Sequence, residues 1–89
     1  MRVRVLMSGN HPEYRLVVPV ATGVDGIAAS LRAAIEQLGG WEERSQDDLD
    51  ESRPERREML ADIAIHGACL WMISADYTGR VEVAPPGTN

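Results

Sequence analysis

The stretch EERSQDDLDE at residues 42–51 divides the sequence into two halves, each with two strand patterns and one helix pattern. This acidic stretch holds six acids and one arginine, a charge of −5. The whole chain of 89 residues has 14 acids and nine arginines, so its net charge is also −5 and the remaining residues balance. A charge concentrated in a neutral body indicates either a solvated connector or a binding surface.

The first half of the chain predicts a β-hairpin followed by a helix. Residues 2–7 and 14–20 have the Val-rich pattern of strands, and turn-forming residues separate them. Pro19 favours a strand end or a sheet edge. A capping-box pattern at residues 22–25 starts the helix, and Gly39-Gly40 ends it. The apolar stripe of this helix consists of Val24, Ile27, Ala28, Leu31, Ile35 and Leu38.

The second half predicts a helix followed by a second hairpin. A second capping box spans residues 52–55, with Pro54 tolerated in the first turn. Residues 68–73 are apolar on both alternating faces, which indicates a strand covered on both sides. Residues 76–79 form a turn, and residues 80–83 alternate as a strand. The buried stripe of the helix is expected at Met59, Leu60, Ile63, Ala64 and Gly67, and His66 and Gly67 end it.

These patterns predict an α+β fold with the element order β-β-α-α-β-β. The simplest architecture is a four-stranded, mainly antiparallel sheet with both helices packed on one face. Residues 1–84 then form a single domain, residues 41–52 an acidic inter-helix connector, and residues 85–89 a flexible tail that cannot join the sheet.

This architecture leaves apolar residues on the outer face of the sheet. Leu6 and Val17 are expected to face away from the helices, and the third strand adds either Leu70 and Met72 or the alternate set Cys69, Trp71 and Ile73. An apolar patch on a bare sheet face is usual in an interface. We therefore expect a homodimer that packs through Leu6, Val17, Leu70 and Met72 or along a strand edge, unless strand register or the tail covers the patch.

None of the residue groups that could carry chemistry predicts a catalytic, metal-binding or cofactor site. His66 and Cys69 lie at the end of a helix, where the dipole raises a thiol pKa, and Cys69 stands in the most apolar run. We therefore expect a buried, inert cysteine and a histidine that complements the helix dipole. The two histidines and one cysteine do not have zinc-site spacing. The acids lack the alternating pattern of a calcium loop, and residues 21–26 match no phosphate-binding loop, so we expect no cofactor.

The acidic stretch and its neighbours are the candidate partner-binding site. As a linker, or as a short extra turn beginning at Ser45, the stretch only needs to be solvated. As a negative patch it speeds the encounter with a basic partner. Trp41 is either a contact just past the helix end or an exposed anchor, and Leu49 raises the same question. The residues of this site are Trp41, Glu42, Glu43, Asp47, Asp48, Leu49, Asp50 and Glu51.

Three classes of function remain. The first is a small regulatory or accessory protein that binds another protein, with an inhibitor or immunity-type protein and a nucleic-acid mimic as variants. The second is a self-assembling structural component, and an enzyme is the least favoured class. The negative charge argues against direct nucleic-acid binding. The first residues do not resemble a signal peptide, no apolar run approaches the ~20 residues of a membrane span, and one cysteine fits a reducing compartment, so we expect a cytoplasmic protein.

Overall fold

The structure, a computed structural model, describes residues 1–82, in which the chain forms five strands and two α-helices. All five strands belong to one antiparallel sheet in the order β3-β1-β2-β4-β5. The α+β class is as predicted, but the four-stranded sheet in the order β-β-α-α-β-β is wrong. The elements are β1 (Arg2–Ser8), β2 (Tyr14–Pro19), α1 (Ala29–Leu38), β3 (Trp41–Asp48), α2 (Pro54–His66), β4 (Cys69–Ile73) and β5 (Thr78–Arg80).

The additional strand is the acidic stretch itself. The predicted inter-helix connector at residues 41–52 is therefore wrong over most of its length, because Trp41–Asp48 pairs with β1 as an edge strand. The neighbouring strand β1 explains why this acidic segment is extended. β1 offers a free backbone edge, and its arginines Arg2 and Arg4 lie opposite Asp48 and Gln46. Pairing along this edge outweighs the low strand propensity of acidic residues.

The first predicted hairpin is confirmed, whereas the second forms with a shifted turn, because β5 spans Thr78–Arg80 and so occupies part of the turn predicted at residues 76–79. β1 pairs with β2 from Val3 opposite Pro19 to Met7 opposite Arg15, and Pro19 ends its strand as expected. β4 pairs with β5, and the pairing continues one residue further through a hydrogen bond from the N–H of Val81 to the carbonyl of Leu70, at 2.9 Å. The predicted last strand residue, Val83, and the tail at residues 85–89 lie outside the described residues.

The two helices lie on opposite faces of the sheet, so the prediction that they share one face is wrong. Residues opposite each other in antiparallel strands project to the same side. One face carries Val17 and Cys69 and packs against Ile63 of α2, whereas the other carries Leu16 and Leu70. The second face packs against α1 through Leu31, Ala34, Ile35 and Leu38.

A helix on each face is what the central strands require. β4 was predicted to be covered on both sides, and its residues Cys69, Leu70 and Trp71 are all buried. A single helical layer would leave one of these two apolar faces in water, at a cost of about 25 cal/mol for each Å² of apolar surface. The two cores are therefore separate clusters divided by the sheet.

The helix ends differ from the predicted capping boxes. Residues 22–25 do not start α1, because Val24–Gly26 forms a short 3-10 turn and the helix begins at Ala29 without a side-chain cap. Ser52 does not cap α2 either, since Arg53 holds the N-cap position and makes no side-chain capping hydrogen bond. The predicted ends are confirmed at Gly39-Gly40 and at His66 followed by Gly67.

Gly67 is required by a close approach of two backbones. Its φ of 85° lies in the left-handed region, and a Cβ atom built there would stand 1.8 Å from the carbonyl oxygen of Gly26. The carbonyl of His66 also accepts a hydrogen bond of 2.8 Å from the N–H of Ala28. The end of α2 is thereby fixed against the start of α1. Neither of these helices has the length and apolar character needed to cross a bilayer.

Candidate functional site: the acidic edge strand

The six carboxylates of residues 42–51 are carried by β3 and by the short connector that follows it. Every residue of β3 except Trp41 is exposed. Opposite partners place Asp47 on the α2 face of the sheet and Glu43 and Asp48 on the α1 face. We call the six acids of residues 42–51 the acidic edge, which consists of Glu42, Glu43, Asp47, Asp48, Asp50 and Glu51.

Four arginines lie at ion-pair distance from four of these acids. Each pair is at least partly exposed to solvent, so each contributes little to stability and exchanges readily with other ions. The N···O distances are 3.5 Å for Arg2–Asp48, 3.9 Å for Arg4–Glu43, 3.7 Å for Arg44–Glu42 and 3.2 Å for Arg56–Asp47.

The two remaining acids, Asp50 and Glu51, have no cation at ion-pair distance within residues 1–82. Asp50 accepts a hydrogen bond of 3.0 Å from the backbone N–H of Ser52. Hydrogen bonds from the side chain and the backbone of Ser52 hold the pKa of Asp50 below its ordinary value. Asp50 is therefore ionised at neutral pH, and the connector end of the acidic edge carries the unpaired negative charge.

The backbone of β3 is closed to further strand pairing at this same end. Met1 and Leu49 exchange two backbone hydrogen bonds, so the preceding residue, Asp48, turns its N–H and C=O outward. The carboxylate of Asp47 accepts from that N–H at 2.8 Å, and Arg56 donates to that carbonyl at 3.1 Å. Natural sheets protect their edges with such side chains and with charge.

A bulge interrupts the middle of the same edge. The register of β1 and β3 shifts between Val5, which lies opposite Ser45, and Leu6, which lies opposite Glu43. Arg44 is therefore the extra residue of β3. A bulge twists an edge strand away from a straight partner, so it is a second obstacle to strand addition.

Trp41 and Leu49 flank the acidic edge and attach it to the two cores. The indole Nε1 of Trp41 donates a hydrogen bond of 2.8 Å to the carbonyl of Ile35, and its ring packs in the α1-face core. Leu49 is 5% exposed and belongs to the α2-face core. The structure therefore places both residues as anchors of the strand, Trp41 half-buried and Leu49 buried, and the carboxylates are the exposed residues of the predicted site.

The four residues predicted for self-association do not share a surface. Leu6, Leu70 and Met72 lie on the α1 face, whereas Val17 lies on the α2 face. Val17 and Leu70 are buried under the helices, and Leu6 and Met72 are half-buried. The bare face that motivated the expected homodimer is not present among residues 1–82, and self-association itself stays a prediction.

The pair considered for chemistry is buried in the protein interior. The thiol of Cys69 is completely buried and donates to Oδ2 of Asp62 at 3.6 Å, and Asp62 in turn lies 3.2 Å from Arg80. Burial, and secondly the charge of Asp62, raise the pKa of Cys69 far above its ordinary value. The expected burial of Cys69 is confirmed. His66 is also buried, and its Nδ1 has no hydrogen-bond partner within the described part of the chain.

Sequence reasoning missed a pocket on each side of the sheet. One, of about 310 Å³, lies beside α2 over Val5 and Trp71, and the other, of about 350 Å³, lies beside α1 over Leu6 and Leu16. No sequence signal could have located them, because they depend on which face each helix covers. Comparison with protein families, with curated proteins and with solved structures finds no match to this chain.

Proposed function

We propose that the protein is a non-enzymatic binding module that presents its acidic edge to a basic surface of a partner protein. The observation that carries this proposal is the row of six exposed carboxylates on one sheet edge and the connector that continues it. A localised negative surface accelerates encounter with a positive one and discriminates against acidic competitors. Along the sequence the rest of the chain is charge-balanced, but in space four arginines lie beside the six acids of the edge, so the edge keeps a net charge of −2, carried by Asp50 and Glu51.

The charge balance at the edge supports this function. Four acids have arginine partners within the chain, but these are exposed pairs of the kind that contribute at most about 1 kcal/mol. A partner cation can replace such an arginine at little cost. Asp50 and Glu51 need no such exchange, so the first contacts of a basic partner are expected at the connector end.

The rigidity of the edge also supports binding. Trp41 fixes one end of β3 to the α1-face core, and Leu49 fixes the other to the α2-face core. The eight residues of the strand span about 26 Å between these anchors. Because the acids are already held in a row, less conformational entropy is lost on binding than with a mobile acidic loop.

The closed backbone favours recognition through side chains. Asp47 and Arg56 occupy the outward backbone groups of Asp48, and the bulge at Arg44 distorts the strand. A second copy of β3 placed alongside would bring acid rows together, and like charges directly opposite are destabilising. The edge therefore favours a different, basic protein over a copy of itself and over an added strand.

The test compares two variants with the same change in net charge. The edge variant combines Glu42→Gln, Asp50→Asn and Glu51→Gln. The control variant combines Asp25→Asn, Glu58→Gln and Asp76→Asn, which are exposed residues away from the edge and without ion pairs in residues 1–82. Each variant and the wild type are immobilised and exposed to host lysate at low and high salt. Captured proteins are then purified for association kinetics.

The wild type and the control variant are expected to retain a common basic partner, with association that slows as salt increases. The edge variant is expected to associate with that partner about tenfold more slowly. Equal binding of the partner by both variants would contradict the proposal. So would a wild-type protein that captures no salt-sensitive basic partner at all.

A further inference from the structure

The pocket on the α1 face of the sheet has a wall suited to an apolar ligand. It has a volume of about 350 Å³, within the lower range of small-molecule sites, and opens between α1 and the half of the sheet formed by β1, β2 and β3. Its apolar wall consists of Leu6, Leu16, Val18, Ile27, Ile35 and Trp41.

Three charged residues line the same pocket. Arg4 comes from β1, and Arg32 and Glu36 come from α1. Arg32 and Glu36 are four residues apart on the helix, yet no ion pair joins them, and neither has another ion-pair partner within residues 1–82. Arg4 lies at ion-pair distance from Glu43, so Arg32 is the arginine of this pocket that has no ion-pair partner in the described part of the chain.

Arg4 contributes a hydrogen-bond donor that lacks an acceptor. Its Nε is buried and has no hydrogen-bond partner among the described residues. Oε1 of Glu43 lies 3.9 Å away, beyond hydrogen-bonding distance. A buried donor without an acceptor is destabilising, and a ligand oxygen at this position would remove that penalty.

We propose that this pocket binds a small monocarboxylate with an apolar body. The carboxylate would accept hydrogen bonds from Arg4 and Arg32, since guanidinium groups match carboxylate geometry, and the apolar body would lie against the wall beside Trp41. The pocket shares Arg4 and Trp41 with the structure around the acidic edge, but its test uses a small ligand and no protein partner, so failure of one proposal does not entail failure of the other.

The pocket on the α2 face is the less suitable of the two. Two of its three arginines already have partners, because Arg15 donates to the carbonyls of Pro12 and Tyr14 and Arg56 pairs with Asp47. It contains Trp71, which gives the experiment an internal control. The indole N–H resonances of Trp41 and Trp71 report separately on the two pockets.

The test is a titration of the ¹⁵N-labelled full chain with octanoate, octanol and acetate, followed by NMR. Octanoate is expected to shift the indole resonance of Trp41 and to leave that of Trp71 in place. Octanol and acetate are expected to bind at least tenfold more weakly than octanoate, because octanol lacks the carboxylate and acetate lacks the apolar body. Equal affinity for octanoate and octanol would overturn the proposal, as would a shift confined to Trp71.

Three variants locate the binding. Arg32→Gln is expected to raise the dissociation constant of octanoate about tenfold, since it removes a charge-assisted hydrogen bond, and to leave octanol unaffected. Gly23→Phe is expected to occlude the pocket for both, because Gly23 lines it and an added Cβ meets no atom within 4 Å. Arg53→Gln, in the other pocket, is the control and should leave the affinities for octanoate and for octanol unchanged. Unchanged octanoate binding in both Arg32→Gln and Gly23→Phe would refute the site.

Discussion

The central strands β2 and β4 and the edge strand β3 belong to one sheet, but different interactions hold them in it. Leu16, Val17 and Val18 of β2 are buried in succession, and so are the first three residues of β4. In β3 only Trp41 is more than marginally covered. The central strands are held by burial on two faces, whereas β3 is held by backbone pairing with β1 and by an anchor at each end.

This difference shows what makes a polar segment a strand. The charged residues of β3 bury no apolar surface, so side-chain burial does not stabilise an extended conformation of this segment. Pairing with β1 stabilises it instead, because the outer backbone edge of β1 would otherwise be unpaired and the arginines of β1 lie opposite or diagonal to acids. Trp41 and Leu49 then fix the register, which side-chain burial along the strand could not specify.

The largest effect is expected from removing a central side chain. Leu70→Ala deletes a side chain that is 2% exposed, and the resulting cavity should lower the free energy of unfolding by about 2 to 5 kcal/mol. Urea denaturation monitored by circular dichroism measures this loss. Met72→Ala, on the same strand and face but half-buried, is the matched control and should cost less than half as much. Similar losses in both would mean that the burial of β4 does not set its contribution.

Leu49→Ala tests whether the anchor, and not the charged body, keeps β3 in the sheet. We expect a loss of about 2 kcal/mol, because Leu49 is buried but borders the pocket on the α2 face, where the site can partly collapse. Hydrogen exchange should accelerate at the amides of β3 and much less at those of β4. Uniform acceleration across all strands would show instead that β3 and the central strands open as one unit.

The pH dependence of the free energy of unfolding tests whether the central strands exclude a charged Cys69 thiolate. Because burial and Asp62 raise its pKa in the folded protein, the folded state retains the thiol proton while the unfolded chain loses it above the ordinary value of 9.0. The stabilising contribution is complete below that pH and is lost as the pH rises above it. Stability should fall by about 1.4 kcal/mol for each further pH unit.

Cys69→Ala is the control for this alkaline loss. It should abolish the part of the pH dependence that begins near the ordinary thiol pKa, although it lowers stability at all pH values by creating a small cavity. The measurement is urea denaturation of both proteins at several alkaline pH values. An identical pH dependence in the wild type and in Cys69→Ala would show that the thiol does not contribute.

Sequence patterns predict the central part of this molecule well and its edge poorly, for the same physical reason. The apolar alternation of β1 and β2 and the glycines after each helix reflect local rules of burial and backbone freedom. The acidic strand has no apolar face, so periodicity cannot distinguish it from a linker. The stacking of one helix on each face depends on long-range packing, and it also decides where Val17 and Leu49 lie.

The identity of the candidate site was accessible from sequence, but its conformation was not. Its acids were recognised from charge alone, which the fold does not alter. Their rigid presentation depends on Arg2 and Arg4, which are distant in sequence and gave only the alternation of β1 as a signal. An arginine at every second position of a strand could have indicated an acidic partner strand.

The smallest effect is expected from the ion pairs along β3. A double-mutant cycle with Asp47→Asn and Arg56→Gln should give a coupling of about 0.2 to 1 kcal/mol, because the pair is partly exposed and both side chains lose freedom when they meet. The coupling should decrease in 0.5 M salt. A coupling above 2 kcal/mol that resists salt would mean that charge holds the edge as firmly as burial holds the centre. A weak coupling leaves these arginines available for exchange, which is the property that a basic partner requires of the acidic edge.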